Sequence, residues 1–229
     1  MKKCTLLGYG EVGKAIYEVF RRYHHLTYVD TKKGIKHKYE FNDFLLVAIP
    51  WSDKFIEEVK AFQKEHKPLH TIIFSTVPIG TCRKLDAVHS PIEGKHPFLQ
   101  NSLKLAPRWF GGKDRESQEF LESIGFELKC STMPEHTEFL KLRSTALYGI
   151  NIEFARYSKK ICDEINLPYK YCKFWDSDYN ALYRQLGYPE YHRYSLDPPE
   201  GKIGGHCVVP NAEILDEQYP HEYLKQIYK

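Results

Sequence analysis

The chain has 229 residues, 42% of them hydrophobic, and a formal net charge of +3. That length suits one large domain or two small ones, and the balanced charge argues against a nucleic-acid partner. The longest clean apolar run, Phe44 to Ile49, is too short to span a bilayer, and the apolar stretch after Lys2 and Lys3 stops at Gly8, too soon for a secretory signal. Six cysteines, Cys4, Cys82, Cys130, Cys162, Cys172 and Cys207, are irregularly spaced and include no C-x-x-C pair. Neither a metal site nor a disulfide framework is expected, and reduced thiols in a cytoplasmic protein fit best.

Residues Lys3 to Gly8 read as a short apolar strand that runs into Gly8-Tyr9-Gly10-Glu11-Val12-Gly13. A helix follows, with Val12, Ile16 and Phe20 on one face, and a second strand, Leu26 to Val29, ends at Asp30. Strand, three glycines, helix, strand and acid in this order form a dinucleotide-binding fingerprint. Gly8 permits the tight turn, Gly10 lets a pyrophosphate approach the backbone, and Gly13 lets helix and strand pack. Tyr9, Glu11 and Val12 complete the loop. The first turn of the helix offers free N–H groups and the positive end of its dipole to the phosphates. Asp30 can accept from the adenosine ribose hydroxyls, which favours NAD as cofactor, while Lys32 and Lys33 keep NADP open.

Phe44 to Ile49 reads as a buried strand ending at Pro50, and a helix follows over Asp53 to His66. Thr71 to Phe74 is another strand, ending in Ser75-Thr76-Val77-Pro78-Ile79-Gly80-Thr81, and Ala87 to Pro91 is one more. Trp109 to Gly112, a helix near Glu116 to Ile124, and Phe126 to Leu128 complete the sheet. Strands alternating with helices imply a parallel sheet covered on both faces. Ligands of such sheets sit beyond the carboxyl ends of the strands. Ile49, Pro50, Ser75 and Thr76 fall there and are expected at the cofactor.

From Pro134 to about Ile165 runs one long helix pattern, with Phe139, Leu142, Ala146, Ile150, Phe154, Tyr157 and Ile161 as a core or dimer stripe. Glu138, Lys141, Thr145 and Tyr148 recur on another face. A long helix with such a stripe often pairs with its copy across a two-fold axis, so a homodimer is expected. Tyr169 to Tyr194 is rich in aromatic residues, which most often build a small core or a subunit contact. Asn211 to Leu224 reads as a last short helix. Between them lies Gly204-Gly205-His206-Cys207-Val208-Val209-Pro210, where two glycines free the backbone just before a cysteine. A thiol so placed can be a covalent nucleophile. Together with the dinucleotide fingerprint it points to a redox enzyme with Cys207 in its active site. The fold class expected is α/β: a Rossmann-like doubly wound parallel sheet over 1–130, then a mostly helical domain over 131–229 entered by the long helix.

Gly8–Gly13, Ala48-Ile49-Pro50, Ser75–Thr81, Glu138–Lys141 and Gly204–Cys207 occur in the order found in UDP-glucose/GDP-mannose dehydrogenases, and the chain resembles that family over nearly its whole length. The resemblance implies NAD-dependent oxidation of a sugar alcohol to a carboxylate in two steps. Cys207 matches the nucleophile that holds the aldehyde as a thiohemiacetal and then a thioester. Lys141 matches the lysine that stabilises the developing oxyanion, and Thr76 matches a threonine near the nicotinamide and the catalytic water. Glu93 matches, across a deletion, a glutamate that acts through water. Thr145, Gly205, His206 and Asn211 fall at the substrate. The sequence departs from the family at two of these: the family has asparagine at the place of Thr145 and aspartate at the place of Asn211. The chain ends about twenty residues after Cys207, so a short form without the family's third, nucleotide-sugar-binding domain is expected. Lys95, His96, Lys104, Arg108, Arg143, Arg184 and Arg193 are candidates for holding a smaller anion.

The leading expectation is an NAD-dependent oxidoreductase acting on a small sugar-like or hydroxy-acid-like alcohol. Two alternatives stand beside it. One is a single-step dehydrogenase of the β-hydroxyacid type, with Lys141 as the acid–base group and Cys207 lining the pocket. The other is a non-catalytic NAD-binding protein.

Overall fold

Successive residues of the central strands point to opposite faces, and both faces are apolar, so helices must cover the sheet on both sides. The computed structural model describes residues 1–30, 33–36, 42–95, 97–105, 107–201, 203 and 207–229. In it, β1 (Lys3–Leu7), β2 (His25–Asp30), β3 (Ile35–Lys36), β4 (Phe44–Val47), β5 (His70–Ile73), β6 (Val88–His89), β7 (Arg108–Gly111) and β8 (Leu128–Ser131) form one sheet. The strand order is β3-β2-β1-β4-β5-β6-β7-β8. Helices α1 (Glu11–Phe20), α2 (Phe55–His66), α3 (Thr81–Lys84), α4 (Leu99–Leu105) and α5 (Arg115–Glu122) connect the strands. On one face Leu6, Phe44, Leu46 and Ile72 pack with Ile16, Val19 and Phe20 of α1, Leu103 of α4 and Phe120 of α5. On the other, Leu7, Leu45, Val47 and Ile73 pack with Phe55 and Val59 of α2 and Cys82 of α3.

The α/β class holds, but the sheet is not parallel throughout. Strands β2, β1, β4, β5 and β6 are parallel. The edge strand β3 runs antiparallel to β2, and β7 runs antiparallel to β6. The chain leaves β6, passes through α4, which packs on α1, and re-enters the sheet from the same edge. Strand β8 then follows β7 in parallel, two residues later than Phe126–Leu128 would place it.

The chain divides into two compact units, Met1–Lys141 and Leu142–Lys229. Helix α6 (Pro134–Glu164) contributes its first two turns to the first unit. The second unit takes the rest of α6 with α7 (Lys170–Gln185), α8 (Val208–Gln218) and α9 (Glu222–Lys225). The expected core or dimer stripe on α6 divides by burial, with Phe139 exposed and Ile150 half-buried. Leu142 and Ala146 are buried, but the buried line continues through Ile152, Ala155 and Cys162, leaving Phe154, Tyr157 and Ile161 exposed. The aromatic segment forms α7, in which Phe174 and Trp175 are exposed and only Asn180 is buried, so its rings do not form a core. The last helix is two: Tyr219 precedes Pro220 and takes an extended backbone (φ −137°, ψ 77°), which stops α8. No helix among the described residues is long and apolar enough to cross a membrane.

Phe44 is fully buried and stacks on Phe120 at 4.0 Å between ring centroids. Phe44→Ala is expected to cost roughly 3–5 kcal/mol, read as a lowered urea midpoint. A loss below about 1 kcal/mol would mean that this ring pair does not organise the α1 face of the sheet.

Candidate functional site

The order of the central strands creates a switch point: from β1 the chain goes to β2 on one side, then crosses to β4 on the other. Backbone bonds carry the ladder past the strand ends, Gly8 N–H to Val29 O at 2.8 Å and Ala48 N–H to Leu7 O at 2.8 Å. The glycine loop sits there, and its three glycines have different physical reasons. Gly8 has φ +98°, and a Cβ on it would lie 2.5 Å from the Ala48 carbonyl oxygen. A Cβ on Gly13 would lie 2.1 Å from the Gly8 carbonyl oxygen. Both are therefore demanded by the packing of α1 on β1 and β4. A Cβ on Gly10 would meet nothing within 4 Å. Gly10 is the N-cap of α1, and no side chain caps the helix there. Exposed Gly10 and Glu11 and partly buried Val12 thus leave open space at the first turn of the helix, the environment of an anion site.

Asp30 ends β2 and is buried. One carboxylate oxygen accepts from Tyr9 N–H at 3.2 Å, and the other from Lys33 N–H at 3.2 Å. The Lys33 ammonium donates to the Tyr9 carbonyl at 2.7 Å and stands 3.5 Å from the carboxylate. Asp30 therefore fastens the glycine loop to β2, and each oxygen retains acceptor capacity for a ribose hydroxyl. The Tyr9 ring stacks on Tyr28 at 3.8 Å, and burial raises the Tyr9 phenol above its usual range. Lys32 lies outside the described residues.

The carboxyl ends of β4 and β5 carry Ile49, exposed Pro50, buried Ser75 and partly buried Thr76. Two buried side chains tie this edge to α6, and sequence reasoning gave neither this role. His89 ends β6; Nε2 faces the Ser75 carbonyl at 3.1 Å and Nδ1 faces Thr137 Oγ1 at 2.8 Å. A carbonyl only accepts, so Nε2 carries the proton, while Nδ1 of the neutral ring shares the single Thr137 hydroxyl proton with the Pro134 carbonyl, which lies 2.9 Å from the same oxygen. Burial pushes the His89 imidazole down to about 4, with the Lys141 and Arg108 charges adding to the effect and the Ser75 carbonyl opposing it. Glu138 is fully buried, and its oxygens accept from Gly80 N–H at 2.6 Å and Cys82 N–H at 2.8 Å. It caps α3, whose own N-cap is a glycine with no side chain to do so. That uncapped Pro-Ile-Gly-Thr turn was the signal available in the sequence. The Glu138 carboxylate is therefore spent on the loop after Thr76. Lys141 is partly buried, one turn after Thr137.

Glu93 is exposed and lines a small hollow with Pro91, Ser102, Pro107, Arg108 and Trp109. Arg108, a candidate for holding a small anion, is only 5% exposed. It donates to the Ser90 carbonyl at 3.1 Å and the Pro91 carbonyl at 2.9 Å, holding the segment that leads to Glu93. Burial lowers the guanidinium to about 10, opposed by the Glu93 charge.

Within the helical unit, Cys207 is exposed and forms the N-cap of α8. Pro210 falls in the first turn, where a missing N–H costs no helical bond. Asn211 is buried, and its amide donates to Thr145 Oγ1 at 3.1 Å. The two positions that depart from the family pattern are thus hydrogen-bond partners. Gly205 and His206 lie outside the described residues.

No protein-family model matches the chain, and no curated protein sequence matches it. Solved structures match it in fold. UDP-D-ManNAc dehydrogenase from Pyrococcus horikoshii is similar over 98% of this chain and 66% of its own, with a TM-score of 0.74 at 12% identity. UDP-glucose dehydrogenase from Pyrobaculum islandicum is similar over 99% and 67%, with a TM-score of 0.69 at 15% identity. The 3-hydroxyisobutyrate dehydrogenase of Mycobacterium tuberculosis, in a structure with L-serine, is similar over 99% and 91%, with a TM-score of 0.69 at 11% identity. The chain spans about two thirds of the UDP-sugar dehydrogenases it matches. The likeness is one of fold: a Rossmann-like sheet followed by helices, shared with sugar-nucleotide and hydroxyacid dehydrogenases.

A folded-state pKa of about 4 for His89, against roughly 6.5 unfolded, sets a sign for pH dependence. The native state resists protonation, so this stability is complete above about pH 6.5 and is lost as pH falls toward 4, by roughly 3 kcal/mol in all. His89→Gln is expected to flatten the fall in urea midpoint between pH 7 and 4.5. An unchanged slope would show that His89 is not a buried neutral imidazole.

Proposed function

We propose that the chain is an NAD-dependent oxidoreductase acting on a sugar-like or hydroxy-acid-like alcohol. The observation that carries this reading is Gly10, the one glycine of the loop that packing does not require, at the uncapped start of α1. The residues present fit a dinucleotide: the α1 N-terminus for the pyrophosphate, Asp30 for the ribose, and Ile49, Pro50, Ser75 and Thr76 along the strand ends. Asp30 argues for NAD rather than NADP because a second phosphate would meet its carboxylate. When bound, NAD accepts the hydride removed from the alcohol carbon. Lys141 takes the hydroxyl proton or stabilises the oxyanion that develops there. Cys207 adds through Sγ to the resulting aldehyde, giving a thiohemiacetal. The hydride of the thiohemiacetal would pass to a second NAD to leave a thioester, and water held by Thr76 and Glu93 would break the C–S bond to release carboxylate and thiol. Exposed Phe154, Tyr157 and Ile161 on α6 support pairing with a second copy.

A single-step β-hydroxyacid reading has its own support. The chain spans 91% of the hydroxyisobutyrate dehydrogenase but only two thirds of the UDP-sugar enzymes. The amide of Asn211 also cannot take up a proton.

Two measurements test the proposal. Gly10→Val is expected to weaken NADH binding at least 100-fold, seen by nicotinamide fluorescence, with the thermal midpoint nearly unchanged. Gly13→Ala is expected to lose roughly 1–3 kcal/mol or more of stability as α1 is pushed from β1. Full NADH affinity in Gly10→Val would sink the cofactor site. On any alcohol that turns over, the wild type should yield two NADH per substrate and Cys207→Ser one. A yield of one from both would assign the single-step reaction.

A further inference from the structure

The helical unit holds two thiols that the proposed chemistry does not use. Cys162 lies in the last turn of α6 and Cys172 in the first turn of α7. The connection between them folds back tightly: Asn166 takes a left-handed backbone at φ +58°, and Leu167 N–H donates to the Cys162 carbonyl at 2.8 Å. The helix ends meet there, and the Cys162 and Cys172 Sγ atoms stand 3.4 Å apart. Both are free thiols; Cys162 is buried and Cys172 is partly exposed. A disulfide bond of about 2.05 Å would require the sulfurs to close by about 1.4 Å.

We propose that Cys162 and Cys172 form a dithiol site that is oxidised by low-molecular-weight disulfides such as glutathione disulfide. Exposure assigns the order of attack. The Cys172 thiolate bonds to one sulfur of the reagent, the reagent's S–S bond breaks, and one thiol leaves, taking up the proton that Cys172 gave to solvent. The Cys162 thiolate then attacks Cys172 Sγ and expels the second thiol. The protein loses two electrons and two protons, and the reagent gains them as two thiols.

The neighbouring charges set the rate. Burial, the Cys162 thiol and Asp176 hold the Cys172 thiol above its usual range. Asp197, which pairs with Lys173 at 2.8 Å, and Tyr169 also face this corner. The reaction is therefore slow near neutral pH and quickens as pH rises, unlike that of a catalytic thiol. The product staples the α6–α7 hairpin, restricting the unfolded chain more than the native one. This inference does not depend on the dehydrogenase reading.

The test treats the full chain, folded, with glutathione disulfide at pH 8.5. The products are trapped with iodoacetamide, digested and mapped by mass. The expected product is a cross-link between the Cys162 and Cys172 peptides, with exposed Cys130 and Cys207 as controls that form only mixed disulfides. Thermal midpoint should rise by roughly 5–10 °C and return with dithiothreitol. Cys162→Ser should stop the reaction at a glutathione adduct on Cys172, and Cys172→Ala should leave Cys162 unmodified. Absence of the cross-link in folded protein, or its appearance only in urea, overturns the proposal. So does a cross-link that fails to raise the midpoint, because the fold would then not have prepared the pair.

Discussion

The close approach of α1 to the end of β1 is the constraint on which the first unit is organised. It leaves no room for a side chain at Gly13, whose missing Cβ would press on the Gly8 carbonyl. Gly8 in turn must adopt a positive φ beneath the Ala48 carbonyl. The strand order then puts the open N-terminus of α1 over the gap where β2 and β4 diverge from β1. Asp30 closes the arrangement by holding Tyr9 and Lys33. Gly8 and Gly13 follow from this packing, and Gly10 is the one glycine of the loop that it does not require.

A second constraint fixes the far side of the same edge. A buried carboxylate and a buried imidazole are expensive unless their polar atoms are satisfied. Glu138 meets that demand with two backbone N–H groups of the 75–82 loop, and His89 with Ser75 and Thr137. These bonds set the first two turns of α6 onto the strand ends that carry Thr76. The position of Lys141 is therefore inherited from neighbours with no chemical role in the reaction proposed for it.

The glycine loop, Asp30 and the central strands were legible because each rests on local pattern: an apolar run, a turn residue, an acid at a fixed remove. The bounds of α6 were legible for the same reason. The antiparallel entry of β7 was not, because its direction depends on where α4 packs rather than on the composition of Arg108–Gly111. Beyond Ala146 the buried line of α6 runs through Ile152, Ala155 and Cys162, residues that the stripe of larger side chains did not single out. The structural roles of Glu138 and Arg108 were not legible, since the groups that satisfy them lie 56 and 18 residues away in the chain. Side-chain class indicates transfer preference, whereas burial of a charge is decided by distant backbone groups.

The Thr145–Asn211 pair bears on which chemistry such a site can support. An aspartate in place of Asn211 would put an unpaired negative charge in a buried position or require a proton to neutralise it. The amide avoids both outcomes: Nδ2 donates to Thr145 Oγ1, and that hydroxyl donates onward to the Leu142 carbonyl at 3.1 Å. The chain of donors runs in one direction and terminates on the backbone of α6. Such a neutral chain orients the first turn of α8, where Cys207 stands, without supplying a base. In the proposed reaction the proton must then pass through Lys141, or through water held by Glu93. A lysine can serve if a nearby cation or partial burial favours its neutral form. His89 cannot supply that positive charge above about pH 5, because burial holds it neutral.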